Sequence, residues 1–273
     1  MIFNYLMKIF DCFTFNDENS VLEIRLNEMS EYIDHFIIVE FGENHQGNQK
    51  GKKINEKILE KFKEKIRYIY VEKFNKGMSS WEKENFQRNY IKNGLYDADQ
   101  NDIIIISDLD EIPNLKKINL SNIGNSIYAF RQINLMYKFN LARDFNWIGT
   151  KLCKLKKLKS PQWLRSLKVH KKYSYLRIDK IFSNNYVHDF KIIENGGWHF
   201  GWIRKIDEII NKLSSFAHEE FNNSKFKNYK YIDNCINNNI NFLDTREKLE
   251  KININLLPKY LISNMDKFKY FFK

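Results

Sequence analysis

The sequence predicts an α/β chain with a mostly parallel central sheet flanked by helices and a helical C-terminal extension. Three observations predict it. Short apolar runs alternate with stretches of helical spacing through the first half. The run Ile103, Ile104, Ile105, Ile106 has no polar position, so that strand has no wet face, as in a parallel sheet covered on both sides. Capping signals stand just ahead of the periodic segments.

Taken in order, residues 8–15 (KIFDCFTF) read as the first strand. Ser20 opens the first helix, with Glu23 three positions on as a capping box. FIIVE (36–40) is the second strand. Ile54, Ile58, Phe62 and Ile66 recur every fourth residue and predict a second helix, followed by the strand IRYIYVE (66–72). Ser79 and Glu82 form another capping box ahead of a third helix, and DIIIISDLD (102–110) is the central strand. The second half is less regular. Residues 127–141 read as a long strand, and 142–190, basic and aromatic, as loops and short strands. NGGWHFGWI (195–203) reads as a glycine- and tryptophan-rich turn with strand character. A helix is predicted over 204–221 on the stripe Ile206, Ile210, Leu213 and Ala217, and the last 50 residues read as polar helix. No internal repeat is present.

Composition limits the function. With 43% hydrophobic residues in 273, a sizeable core is expected. The net charge of +11 favours anionic partners without choosing among nucleic acid, an anionic membrane surface and phosphate-bearing ligands. Cys12, Cys153 and Cys235 are far apart and odd in number, which suggests neither a zinc ribbon nor a disulfide framework, and so a reduced, cytoplasmic setting. No run of about 18 uncharged apolar residues is present. The first 13 residues are interrupted by Asn4, Lys8 and Asp11, so neither a membrane span nor a signal peptide is expected. The basic, aromatic C-terminus could touch an anionic membrane surface peripherally.

The chemistry gathers at SDLDEIP (107–113). The central strand runs directly into Asp108, Asp110 and Glu111, and ligands of such sheets collect at the carboxyl ends of the strands. Carboxylates brought together there repel one another unless a cation compensates. A hard divalent ion, Mn²⁺ or Mg²⁺, fits oxygen ligands and bridges to phosphates. A solvated aspartate-rich turn is the bland alternative. Two other chemistries stay open on the residues alone: a basic nucleic-acid-binding protein, and metal-dependent phosphoryl transfer or nuclease chemistry.

SDLDEIP, together with WEKENFQRN, IFDCFTFNDENSVLEIRLNEM, FIIVEFGENHQG, FNWIGTK, NGGWHF and KLSSFAHEE in the same order, resembles glycosyltransferase family 17 over about residues 9–220. The resemblance implies a GT-A type, Rossmann-like domain over 1–220, with a nucleotide-binding half to about 113 and an acceptor half beyond it. Residues 221–273 are then the C-terminal extension. The implied reaction is metal-dependent inverting transfer from a UDP-sugar, expected to be UDP-GlcNAc, to a hydroxyl of a glycan or polysaccharide, with no role for nucleic acid.

Site expectations follow. Asp110 is the first choice for metal, with Asp108 contacting it through water or the donor ribose. The resemblance implies a late histidine ligand, for which His199 and His218 are the candidates. Donor contacts are expected from Asp11, Phe13 and Thr14 after the first strand, from Glu40 at the end of the second, and from Arg88, Asn89 and Lys212. Arg88 also stands four residues from Glu84, the spacing of an ordinary helix ion pair. An inverting transfer needs a base, and Glu194 is preferred over Asp189 and Glu219. Trp147, Trp198 and Trp202 are candidates for stacking on sugar rings.

Overall fold

The computed structural model describes residues 7–169, 189–215 and 226–273. Among them ten strands form one sheet. They are β1 (Ile9–Phe15), β2 (His35–Phe41), β3 (Ile66–Val71), β4 (Ile103–Asp108), β5 (Glu111–Pro113), β6 (Ile127–Met136), β7 (Leu141–Lys154), β8 (Phe190–Ile193), β9 (Gly197–Gly201) and β10 (Glu250–Lys251). The order is β3-β2-β1-β4-β7-β6-β9-β5, with β8 beside β6 and β10 beside β7.

The first four strands are parallel, as expected of a Rossmann-like half. Beyond β4 the sheet is mixed, because β7 runs antiparallel to both β4 and β6. β7 itself corrects the expectation of loops and short strands from residue 142 onward. Its N-terminal half is largely exposed, so no clean alternation marks it in the sequence.

The helices are α1 (Asn19–Met29), α2 (Glu56–Lys61), α3 (Ser80–Asn89), α4 (Pro161–Ser166), α5 (Ile206–Ser215), α6 (Tyr229–Asn237) and α7 (Lys259–Ser263). The Ser79–Glu82 capping box forms as expected. The one at Ser20 does not: α1 starts a residue earlier, and its N-terminus has no side-chain cap. The end of the helix expected over 204–221, with Ala217, lies outside the described residues.

Strand side chains alternate between two apolar layers. One face of β1, β2 and β4 (Phe13, Ile38, Ile103, Ile105) packs with Leu22, Leu26 and Met29 of α1. The other (Cys12, Ile37, Val39, Ile104, Ile106) packs with Ile91, Leu95 and Leu164. The C-terminal segment is built into this core. Leu257, Leu261 and Phe268 join the first layer. Phe139 meets Phe268, Phe271 and Phe272 at ring-centroid distances of 6.0, 5.8 and 5.7 Å. The aromatics that a peripheral membrane contact would use are therefore largely spent on the core. Among the described residues no helix is long and apolar enough to cross a membrane.

Candidate active site

A cleft of about 440 Å³ opens at the carboxyl ends of β1, β2 and β4, where Asp108, Leu109, Asp110 and Glu111 form part of its wall. Residues 108–111 turn sharply from β4 into β5, and a single buried side chain holds that turn from behind. Arg25 of α1 is fully buried and pairs bidentately with Asp11 at 2.8 and 2.6 Å. Its remaining N–H groups donate to the carbonyls of Asp108, Leu109 and Glu111 at 3.1, 3.1 and 3.0 Å, and to Ser107 Oγ at 2.6 Å. The guanidinium also lies 4.4 Å from the Phe13 ring centroid.

Glu111 closes the turn from the front. Its carboxylate accepts from the backbone N–H of Asp108 at 3.1 Å, from Trp147 Nε1 at 2.9 Å and from Arg165 at 2.7 Å. Glu111 thus supports the turn and is not a third open acid. Gly149 of β7 makes room for it, since a Cβ there would overlap the Glu111 carboxylate.

The two aspartates of the turn meet opposite environments. Asp108 receives Arg88 on one oxygen at 2.9 Å and Arg165 on the other at 2.8 Å. Burial alone would raise its pKa, but the two guanidinium groups hold it well below the usual carboxylate range. Among the described residues no arginine is paired with Asp110. Burial raises its pKa, and the negative charges of Glu111 and Asp108 add to the rise against the opposing pull of His199 and Lys212. His199 Nε2 stands 3.8 Å from Asp110 Oδ2. The His199 ring stacks on Trp147 at 4.1 Å with planes 12° apart, so its orientation is fixed.

The rest of the cleft is bounded by Thr14 and Phe15 at the end of β1, by Asn16 and Glu18 after it, by Glu43, Asn44, His45 and Lys50 after β2, and by Glu84, Gln87 and Arg88 of α3. Lys212 of α5 bonds Glu18 at 3.1 Å and ties that helix to the β1–α1 loop, with Arg204 on the same carboxylate. Together they pull Glu18 well below its ordinary range despite burial. Trp202, also on the wall, has φ of 59°, which a bulky side chain rarely adopts and which costs on the order of 1–3 kcal/mol.

Of the expected site residues, the cleft gathers Thr14, Arg88, Asp108, Asp110, His199 and Lys212, with Trp147 and Trp202. It does not gather the others. Asp11 and Phe13 are buried against Arg25 of α1, short of the carboxyl end of β1, so neither is on the cleft wall. Glu40 is buried and anchors the loop after β2, accepting from Tyr68 Oη and Lys53 N at 2.7 Å each and from Lys50 Nζ at 3.2 Å. Asn89 accepts from Gln162 N at 3.0 Å and so fixes α4, which carries Arg165. Glu194, the expected base, is exposed and paired with Arg131 at 2.8 Å away from the cleft wall. Asp189 accepts from Ser126 at 2.6 Å, and Trp198 sits in the core with Nε1 donating to the Leu256 carbonyl at 2.6 Å. His218 and Glu219 lie outside the described residues.

Sequence reasoning missed Arg25, Gly149 and Arg165. Arg25 left a readable signal: it occupies the apolar stripe of α1 with Leu22, Leu26 and Met29. Arg165 left none, because its helix reaches the site only through tertiary packing.

Among the described residues no three histidine, cysteine, aspartate or glutamate side chains are grouped to hold a metal by themselves. The facing pair Asp110 and His199 does fit a hard cation that takes its other ligands from phosphate oxygens and water, the usual habit of Mg²⁺. The charge balance counts too: among the described residues the cleft wall carries six carboxylates (Glu18, Glu43, Glu84, Asp108, Asp110, Glu111) against four cations (Lys50, Arg88, Arg165, Lys212), two negative charges in excess within a chain of net +11. An acidic cleft does not suit the backbone of a nucleic acid.

The family model described as Glycosyltransferase family 17 matches residues 2–273. The chain belongs to glycosyltransferase family 17. The match includes the C-terminal residues that the sequence motifs alone left uncovered. Among curated proteins, family 17 residues here align with the beta-1,4-mannosyl-glycoprotein 4-beta-N-acetylglucosaminyltransferases of Rattus norvegicus and Homo sapiens. The alignments are 20% and 21% identical over 290 positions, covering 96% of this chain and 54% of each relative. The chain thus spans about half the length of the curated relatives it matches. Among solved structures, an active-site mutant of LgtC is similar at 19% identity with a TM-score of 0.29, over 55% of this chain and 58% of that one.

Proposed function

We propose that this glycosyltransferase moves a sugar, GlcNAc, from UDP-GlcNAc to a hydroxyl of a glycan, with inversion and with the help of a divalent cation. The observation that carries this is the pair Asp110 and His199, 3.8 Å apart on the wall of an acidic cleft at the carboxyl ends of the parallel strands. A diphosphate entering a cleft with two excess negative charges needs a cation beside it. Mn²⁺ or Mg²⁺ held by Asp110 and His199 would supply that charge and stabilise the departing UDP.

The chain's own residues then divide the remaining work. Arg88 and Arg165 immobilise Asp108 at the mouth of the turn, where its carboxylate can meet the donor ribose. Thr14, Asn16 and Lys50 border the space for the nucleoside, and Lys212 stands beside the leaving group. Trp147 and Trp202 offer apolar faces to sugar rings. In a single displacement the acceptor oxygen bonds to the anomeric carbon as the bond to UDP breaks, and the hydroxyl proton passes to a base. The curated relatives' name supports GlcNAc as the transferred sugar, and their mannosyl-glycoprotein acceptor is the first acceptor class to test.

Purified protein incubated with UDP-GlcNAc and Mn²⁺ is expected to hydrolyse the donor slowly. The activity should disappear on chelation and in Asp110→Ala. Absence of any UDP or UDP-sugar binding in the presence of Mn²⁺ would sink the reading.

A further inference from the structure

Behind His199 lies a chain of contacts that determines which of its nitrogens carries the proton. Asp144 of β7 accepts a hydrogen bond from Asn134 Nδ2 of β6 at 2.9 Å. Asn134 Oδ1 lies 2.9 Å from His199 Nδ1, and His199 Nε2 faces Asp110. An ionised carboxylate only accepts, and the second Asp144 oxygen already accepts from the backbone N–H of Asn146 at 2.8 Å. The Asn134 atom turned toward Asp144 must therefore be the amide nitrogen. That leaves the amide oxygen facing the imidazole, and an oxygen there can only accept, so His199 Nδ1 must hold the hydrogen. In neutral His199 the lone pair is then on Nε2, turned toward Asp110. Asn134 is nearly inaccessible to water, at 4% exposure, so solvent cannot substitute for either bond.

We infer that Asp144, acting through Asn134, is a positioning residue that fixes His199 in the Nδ1–H tautomer and so presets a nitrogen–oxygen pair with Asp110. The inference deepens the metal reading above and rests on it for its purpose. The stacking of His199 on Trp147 sets the plane of the ring, and the amide sets its edge and its proton. Neither Asp144 nor Asn134 lies on the cleft wall.

The test uses full-length, metal-free protein with ¹⁵N-labelled histidine, read by long-range proton–nitrogen NMR at a pH where His199 is neutral. The wild type is expected to show a protonated Nδ1 and a bare Nε2. In Asp144→Asn the amide of Asn134 loses its enforced orientation, and a share of His199 should pass to the Nε2–H form. Mn²⁺ affinity, measured separately by calorimetry, should fall about 10- to 100-fold, the usual effect of removing such a partner. The double exchange Asn134→Asp with Asp144→Asn reverses donor and acceptor between β6 and β7 but keeps an oxygen on Nδ1, so it should restore both readouts. A predominant Nε2–H form in the wild type overturns the inference, as does an unchanged tautomer in Asp144→Asn. A shifted tautomer with unchanged Mn²⁺ affinity overturns its link to the cation. The tautomer is read without metal or donor, so its failure is distinguishable from failure of the transferase reading, which shows as absent UDP binding in the wild type.

Discussion

Two buried cations decide how the acidic turn is presented. Arg25 and Asp11 are both at 0% exposure, and Arg25 supplies the donors for three turn carbonyls. Removing one partner of such a pair strands the other charge in the core, which typically costs about 3–5 kcal/mol. Arg25→Met is expected to lose stability on that scale in urea unfolding. Asp11→Leu with Arg25→Met should recover much of the stability but not UDP-sugar affinity, since the carbonyls of Asp108, Leu109 and Glu111 would still lack a donor. Lys151 is the second case. It is almost fully buried, with Nζ donating to the Gly149 and Arg165 carbonyls at 3.3 and 2.9 Å. Burial, with the nearby charge of Arg165, lowers its pKa to about 8 from the ordinary 10.5. Between those two values the unfolded chain keeps a proton that the native chain has shed, so this residue makes stability rise with pH there, and below about 8 its penalty is complete. The unfolding free energy from urea titrations between pH 7 and 10.5 should rise in the wild type relative to Lys151→Met by up to about 3 kcal/mol.

At the scale of elements, β7 is what joins the acids to the histidine. It pairs with β4 and β6, and within it Trp147 bonds Glu111 while stacking on His199. Gly149 is the point of closest approach. Gly149→Ala forces either β7 or the Glu111 carboxylate to move, and overpacking of this kind costs about 1–3 kcal/mol. Because Glu111 also holds Asp108 N and Arg165, UDP-sugar affinity should fall together with the melting temperature. The cap of α3 offers a contrast. Ser79→Ala removes the capping box for about 1 kcal/mol and should leave UDP-sugar affinity unchanged, since Ser79 is remote from the turn. Equal effects of the two substitutions on binding would argue against the role given to β7.

For the whole molecule, the question is whether residues 221–273 are an appendage. The described residues 226–273 are not packed as one: β10 pairs with β7, and Phe268, Phe271 and Phe272 surround Phe139. A chain ending at residue 252 would lack Leu257, Leu261 and Phe268 from the core and leave Phe139 without its aromatic partners. Such a chain is expected to lose its cooperative melting transition, whereas a true appendage could be removed with UDP-sugar binding intact. Losing a buried aromatic alone costs about 3–5 kcal/mol, so Phe139→Ala should weaken the fold in the same direction. Charge is also organised at this scale: among the described residues the cleft wall is net acidic although the chain is net basic, so the overall charge says little about the substrate.

The sequence by itself determined the parallel half of the sheet and the placement of Asp108 and Asp110 at the end of its central strand. Those features follow from local periodicity and from the rule that such sheets bind at their carboxyl ends. It also marked the Ser79 cap and the glycine-rich segment that carries His199. Only the tertiary structure decided that Asp11 and Glu40 serve the scaffold, that Glu194 faces away, that Arg25 and Arg165 converge on the turn, and that Asn134 backs His199. The reason is physical. Period and capping report neighbours along the chain, whereas the partner of a buried charge is chosen by strand pairing and packing between residues as distant as Arg25 and Glu111.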